Sequence, residues 1–399
     1  MKNLFKKIVC ISLAFCLTLG LTACSGIFAP VGGQDSNSAS NMSGLPDGVD
    51  INFEINVTNS LDIVPDGVAV LDVIRPSVVE IYSMMANAQS SGSGVVLSMA
   101  DEDGDGVDDK AIIVTCHHVI DSAYEVIVKA IDGKEYKAIL VGTDPDSDLA
   151  VLFIQATSTN AFENLTSATW YDRSSNLKVG TEVYAIGNPL GTLGGTVTSG
   201  IISAINRDVT VEDTQMTLIQ TDAAINGGNS GGGLFDKNTG ALIGIVNAGY
   251  ASSTAQGLSF AIPGNVAIDI LSQLISNGYI EGRYDFGVEF GLFKTSSWVS
   301  TEYYVGITAL EDFGLFQKNG FKEKDIIKSI KIGDREEFVV PQINSLNVNT
   351  IVADLTAYVN DENCKIGDTV LVNYRRYYAN SGYLDQTASF KVEQFVYGE

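Results

Sequence analysis

From Val68 to about residue 260, short runs of β-branched and apolar side chains alternate with Gly, Asp and Asn. Runs at 77–82, 94–97, 111–115, 125–129, 182–186 and 241–246 each have the length of one strand and end at turn residues. A sustained 3.6-residue period first arises at 266–276. This texture predicts an all-β barrel or sandwich of roughly 200 residues, closed by a single helix. Beyond a hinge-like stretch at 278–283 the pattern resumes, with strands expected at 369–374 and 388–392 and a helix at 351–359. Mainly β structure in two successive folded domains is therefore expected.

The N-terminus has a different pattern. Lys2, Lys6 and Lys7 precede an apolar run from Ile8 to Leu19, the layout of an export signal. Leu21-Thr22-Ala23-Cys24 resembles the lipobox of bacterial lipoproteins, which implies cleavage after residue 23 and a lipid on Cys24. An uncleaved anchor helix is the alternative. Residues 24–65, rich in Gly, Ser, Asn and Asp, read as a solvated tether. The domains expected after it are 66–282 and 283–399.

Composition narrows the function. The chain has 399 residues, 45% apolar and 18% charged, enough for real cores. Its 24 basic and 48 acidic side chains give a net charge of −24, and loss of three lysines with the signal leaves −27. Such a surface repels phosphate backbones, so nucleic acid is excluded as a partner. Of five cysteines, two leave with the signal and Cys24 carries lipid; Cys116 and Cys364 remain, in different expected domains, so no disulfide framework is expected. The only two histidines are His117 and His118, so imidazole chemistry has one possible address. The glycines at 187–195 do not read as a dinucleotide site, because no helix pattern follows them.

Three segments carry chemistry. They are Thr115-Cys116-His117-His118-Val119-Ile120, then Asp146-Ser147-Asp148-Leu149-Ala150, then a serine among glycines at Gly228-Asn229-Ser230-Gly231-Gly232. A serine hydroxyl becomes a nucleophile only if a base takes its proton. That base needs a group to hold its tautomer, and the oxyanion needs backbone donors. The order His, Asp, Ser, with separations of 30 and 82 residues, matches the triad order of a double β-barrel.

These segments, with Gly92-Ser93-Gly94-Val95, Val183-Tyr184-Ala185-Ile186-Gly187-Asn188-Pro189, Gln220-Thr221-Asp222-Ala223-Ala224-Ile225-Asn226 and Leu258-Ser259-Phe260-Ala261-Ile262-Pro263, resemble the trypsin-like serine proteases of the HtrA/Deg group over about residues 66–275. The resemblance implies a double six-stranded β-barrel, His118 as general base, Asp148 as its orienting partner and Ser230 as nucleophile. It also implies an oxyanion hole at the amides of Gly228 and Ser230, with Ala224 at the floor of the substrate pocket. Departures are Cys116-His117 where the family usually has Asn-Asn, and Gly227 and Gly233 where Pro is common. His117 reads as a bystander and Cys116 as a small buried residue.

Tyr284-Asp285-Phe286-Gly287-Val288 resembles the carboxylate-binding loop of PDZ domains, and Gly320 to Ile330 resembles a strand of theirs, with Lys324 in place of the usual glycine. This resemblance implies a PDZ-like α+β domain that binds C-terminal peptides at Phe286, Gly287 and Val288. Together the resemblances imply an ATP-independent endopeptidase acting on unfolded or damaged exported proteins, held outside the cytoplasm on the bacterial membrane by its lipid, and assembled as a homotrimer. A chaperone or peptide-binding lipoprotein with a silent site is the alternative. The chemistry requires no cofactor. Asp101, Asp103, Asp105 and Asp109 have the spacing of a calcium loop, but Ile112 stands where an EF-hand has its bidentate glutamate, and an acidic hairpin turn is the other reading.

Overall fold

The structure, a computed structural model, describes residues 55–58, 67–101, 107–157, 161–171, 177–187, 195–211, 214–249, 258–296, 301–343, 347–348, 350–361 and 363–396. Cys24 and the signal segment lie outside the described residues, as do Asp103 and Asp105. The described residues belong to one compact unit.

A short strand β1 (Val57–Thr58) and helix α1 (Gly67–Ile74) precede six strands, β2 (Val78–Met84), β3 (Gln89–Ala100), β4 (Lys110–Thr115), β5 (Glu125–Lys129), β6 (Glu135–Asp144) and β7 (Leu149–Gln155). A one-turn helix, α2 (His117–Ile120), follows β4. The strands close into an antiparallel barrel in the order β2-β3-β4-β7-β6-β5. The next strands are β8 (Trp170–Tyr171), β9 (Glu182–Gly187), β10 (Thr196–Val211), β11 (Thr214–Thr221), β12 (Gly233–Asp236), β13 (Leu242–Gly249) and β14 (Ser259–Pro263). Pairing runs β13-β12-β9-β10-β11-β14, and β14 returns to β13, so a second ring of six strands closes. The acidic insert is the connection between β3 and β4, whose last register pair is Ala100 with Lys110.

Helix α3 (Gly264–Asn277) explains why β7 is apolar at nearly every position instead of alternating. It packs on β6, β7, β13 and β14 through the buried stripe Ala267, Leu271 and Leu274, so strands beneath it are covered on both faces. It ends at Gly278, whose φ of 80° forms a left-handed cap.

Two expectations are corrected. Residues 57 and 58, inside the stretch read as tether, pair in parallel with Trp170 and Tyr171, and Trp170 N–H donates to Asn56 O at 2.8 Å. The β-branched run after residue 67 is a helix and not a strand: Val70 and Ile74, four apart, are buried, while Val68 and Val73 face solvent.

The C-terminal region has a core of its own, built on Phe316, Ile330, Leu355 and Val370. Its elements are β15 (Val288–Ser296), β16 (Thr301–Leu310), α4 (Leu315–Lys318), β17 (Ile326–Ile332), β18 (Phe338–Val339), α5 (Ile351–Val359), β19 (Thr369–Tyr378) and β20 (Gly382–Lys391). The sheet order is β15-β16-β17-β19-β20, with β18 on β17, and α5 packs against edge strand β15. Helix α5 coincides with the expected span, whereas β19 and β20 extend beyond theirs to form a long hairpin. Cys116 and Cys364 are both buried free thiols. Among the described residues no helix is long and apolar enough to cross a membrane.

Candidate active site

Register sets the first half of the site. Thr115 at the end of β4 pairs with Ala150 near the start of β7, so the residues just past β4 lie beside those just before β7. His117 N–H donates to Asp148 O at 3.2 Å. Extended backbone at Cys116 then gives way to the single turn of α2, which turns His118 back over Asp148. The His118 N–H donates to Asp148 Oδ1 at 2.9 Å, and His118 Nδ1 lies 2.7 Å from Oδ2. With its Nδ1 proton committed to the carboxylate, the neutral ring presents the Nε2 lone pair outward. The His118 side chain is 37% exposed and that of Asp148 13%.

Ser230 lies on the loop before β12, and both barrels hold that loop. Ser93 of β3 donates its N–H to Ser230 O at 2.9 Å and its hydroxyl to Gly228 O at 2.7 Å. Gly231 N–H donates to Val246 O of β13 at 2.8 Å. The approach admits only glycine at 231: φ is 83°, and a Cβ would lie 2.2 Å from Ser93 O and 2.4 Å from Thr115 Oγ1. Asn229 N–H is used on Asn226 O at 3.1 Å, whereas among the described residues the amides of Gly228 and Ser230 meet no acceptor. Ser230 Oγ makes no hydrogen bond among the described residues.

Strand β13 also reaches the acid. Asn247, fully buried, donates its side-chain amide to Asp148 Oδ2 at 2.6 Å. One residue earlier, Val246 O accepts from the Cys116 thiol at 3.4 Å as well as from Gly231 N–H. Sequence reasoning missed Asn247 and the structural role of Ser93; the available signal was one amide side chain inside the apolar run 242–246 and its extension.

The neighbouring groups are accounted for. Thr143 gives its hydroxyl proton to Leu149 O at 2.9 Å, so it accepts from His117 Nδ1 at 3.0 Å, while His117 Nε2 lies 4.0 Å from Asp121 Oδ1. Burial lowers the His117 pKa, with the charges of Asp121 and Asp148 opposing that shift. Burial, and then the charge of Asp148, push the Cys116 thiol well above its ordinary range. Cys116, His118 and Asp148 offer one ligand atom each within 4.8 Å of one another. A metal there would have to displace the 2.7 Å His118–Asp148 bond and ionise a buried thiol.

The remaining expected site residues are scattered. Ala224, exposed and six residues before Ser230, is anchored by Thr198 Oγ1 donating to its carbonyl at 2.9 Å. Asp101 and Asp109 stand at the two ends of the β3–β4 connection, and Asp109 is tied into the barrel by its backbone, N–H to Ala100 O at 2.9 Å and O from Ala156 N–H at 2.7 Å. In the C-terminal region Phe286 is a core residue packed edge-on against Phe316, at 6.2 Å between ring centres. Val288 begins β15 opposite Leu310. The Gly287 amide, expected to face a peptide carboxylate, already donates to Asp285 Oδ1 at 2.7 Å.

Residues 92–245 match the trypsin-like peptidase domain, the segment that contains His118, Asp148 and Ser230. The serine protease Do-like HtrB of Bacillus subtilis (strain 168) is 38% identical over 239 residues, 57% of this chain and 49% of that protein. The Do-like HtrA of the same organism is 38% identical over 226 residues, 53% of this chain and 49% of that protein. The periplasmic serine endoprotease DegP of Escherichia coli (strain K12) is 42% identical over 198 residues, 49% of this chain and 38% of that protein. The chain thus spans about half or less of the length of the curated relatives it matches. These likenesses support a serine endopeptidase of the HtrA type.

Proposed function

We propose that this chain is an HtrA-type serine endopeptidase in which Ser230 is the nucleophile, His118 the general base and Asp148 the carboxylate that orients it. The observation that carries the reading is the two-point grip of Asp148 on His118, 2.9 Å to the backbone amide and 2.7 Å to Nδ1, beside a serine loop pinned by both barrels. Substrate closes the remaining distance, since catalytic hydrogen bonds in empty sites are commonly long and tighten on binding.

In the forward step His118 Nε2 takes the Ser230 hydroxyl proton as Oγ adds to the scissile carbonyl carbon. The carbonyl π pair moves onto oxygen, and the amides of Gly228 and Ser230 donate to that oxyanion. Collapse breaks the C–N bond, and the imidazolium returns the proton to the leaving amine. Water, deprotonated by His118, then adds to the acyl-enzyme; the ester C–O bond breaks, a carboxylic acid leaves, and Ser230 regains its proton. Ala224 offers neither charge nor bulk, so the pocket takes aliphatic side chains, with shallow discrimination among them because one methylene is worth about 1–3 kcal/mol.

Unfolded or damaged exported proteins are the substrate class this reading gives. The relative named as a periplasmic endoprotease supports a site of action outside the cytoplasm. Cys24 supplies the lipid anchor, three copies assemble, and the C-terminal domain is PDZ-like, adding an extended peptide beside β15 and α5. Hydrolysis of a permanently unfolded protein by the full chain, lost in Ser230→Ala and nearly lost in His118→Ala, is the expected result. Equal hydrolysis by Ser230→Ala overturns the proposal.

A further inference from the structure

The geometry points to Arg283, at the entrance to the C-terminal domain and outside the peptidase match, as a positioning residue for the reaction: it holds the turn that presents Asp148. This assignment rests on the endopeptidase reading above. The turn connects β6, which ends at Asp144, to β7, which begins one residue after Asp148. Asp148 stands in the left-handed region at φ 53°, a conformation a non-glycine residue keeps only where its surroundings enforce it. Within the turn, Ser147 is held by Asp144 and the Asp148 N–H by Pro145. Ser147 N–H donates to Asp144 Oδ2 at 3.1 Å, Ser147 Oγ to Asp144 O at 3.4 Å, and Asp148 N–H to Pro145 O at 3.2 Å.

The Asp144 carboxylate that organises this turn is 4% exposed and needs a counter-charge, which Arg283 supplies. Arg283 Nη2 lies 3.4 Å from Asp144 Oδ2, and Nη1 lies 2.7 Å from Asp146 Oδ2, so one guanidinium spans both acids of the turn. Burial raises the pKa of Asp144, while the Ser147 hydrogen bond and the charge of Arg283 oppose that rise. The C-terminal domain fixes the other end of Arg283. Its carbonyl accepts from Phe395 N–H and from Gln394 Nε2, both at 2.9 Å, and its N–H donates to Ile280 O at 3.2 Å. Gln394 also donates to Ile280 O at 2.8 Å and accepts from Gly282 N–H at 3.0 Å. A continuous set of bonds therefore runs from the end of the C-terminal domain through Arg283 and Asp144 to the backbone of Ser147, the residue just before Asp148.

Without Arg283 the Asp144 carboxylate is left buried and uncompensated. It turns toward water, Ser147 N–H is released, and Asp148 relaxes from its strained conformation, drawing His118 with it. Asparagine at 144 keeps an acceptor for Ser147 N–H and carries no charge that needs a partner, so Asp144→Asn should rescue the loss of Arg283.

The test measures kcat and KM of the full chain on a chromogenic peptide, with melting curves for every variant. Arg283→Ala should lower kcat about 10- to 100-fold with KM changed less than about twofold. The double variant Arg283→Ala with Asp144→Asn should recover most of that loss. Arg375→Ala, which removes a similarly exposed arginine paired with Asp385 inside the C-terminal domain, should leave kcat unchanged. If Arg283→Ala turns over at the Arg375→Ala rate, or if a folded Arg283→Ala is not rescued by Asp144→Asn, the positioning role is overturned and the protease reading stands. Absence of Ser230-dependent turnover in the unaltered chain overturns both.

Discussion

Asn247 reaches from the second barrel into the first and donates its side-chain amide to Asp148 Oδ2 at 2.6 Å, the same oxygen that faces His118 Nδ1. Asp148 is thus held from both sides of the barrel interface. A hydrogen bond to a charged group is worth about 1.5–3 kcal/mol. Asn247→Ala should therefore lower kcat/KM by roughly 10- to 100-fold. Asn247→Asp should do worse, because it sets a second carboxylate against Asp148 where neither is well solvated. Steady-state kinetics checks both, and an unchanged rate in Asn247→Ala removes Asn247 from the site.

The adjacent histidines should behave as opposites. His117 donates to Thr143 and is kept neutral by burial, so His117→Ala should retain most activity and cost mainly stability. His118→Ala should lose several orders of magnitude and leave only the ~10³–10⁴-fold rate advantage over water that binding and the oxyanion hole provide. Comparable losses at both positions would contradict the assignment.

On the PDZ-like reading proposed above, peptide capture by the C-terminal domain should depend on pH in a defined direction. Burial raises the pKa of Asp285 and of Glu311, and Asp146 adds to both; the Gly287 amide and Lys318 pull Asp285 down, and Glu289 pushes Glu311 further up. As pH falls from neutrality through these raised values, the loop loses negative charge, while a peptide terminus with a pKa of about 3.5 keeps its own. Affinity for a peptide with a free C-terminus should therefore rise as the pH is lowered from neutrality, and that of the C-terminal amide should not. Fluorescence anisotropy distinguishes the two outcomes, and a flat or falling affinity for the free acid contradicts the expected sign.

Lys324 occupies a left-handed position, φ 71°, where the resembled motif has glycine. The missing glycine that weakened the likeness is thus a side chain in a conformation costing about 1–2 kcal/mol. Lys324→Gly should stabilise the C-terminal domain by a net ~0.5–1 kcal/mol after the extra chain entropy of glycine. Urea denaturation should show a higher midpoint, and a lower one would contradict this account of the position.

What could be read in the sequence follows from which residue types are scarce. Two histidines in one pair left a single place for a base, and acid and serine segments in the expected order supplied the candidates for its partners. Strand runs 111–115 and 125–129 were visible because burial on a pleated surface selects β-branched residues. Helix α1 was not, since its valines suit a strand equally well and only the four-residue spacing of Val70 and Ile74 betrays it. Asn247 and Arg283 carry no local signal: they lie 99 and 139 residues from the acids they touch, Asp148 and Asp144, and only the closed barrels and the hinge bring them there.

The most direct test of the central claim is covalent labelling of the folded full chain by a fluorophosphonate, with the adduct located by mass spectrometry. One adduct on Ser230, absent from Ser230→Ala and strongly slowed in His118→Ala, is the predicted result. A label on any other serine, or equal labelling of Ser230→Ala, would contradict it.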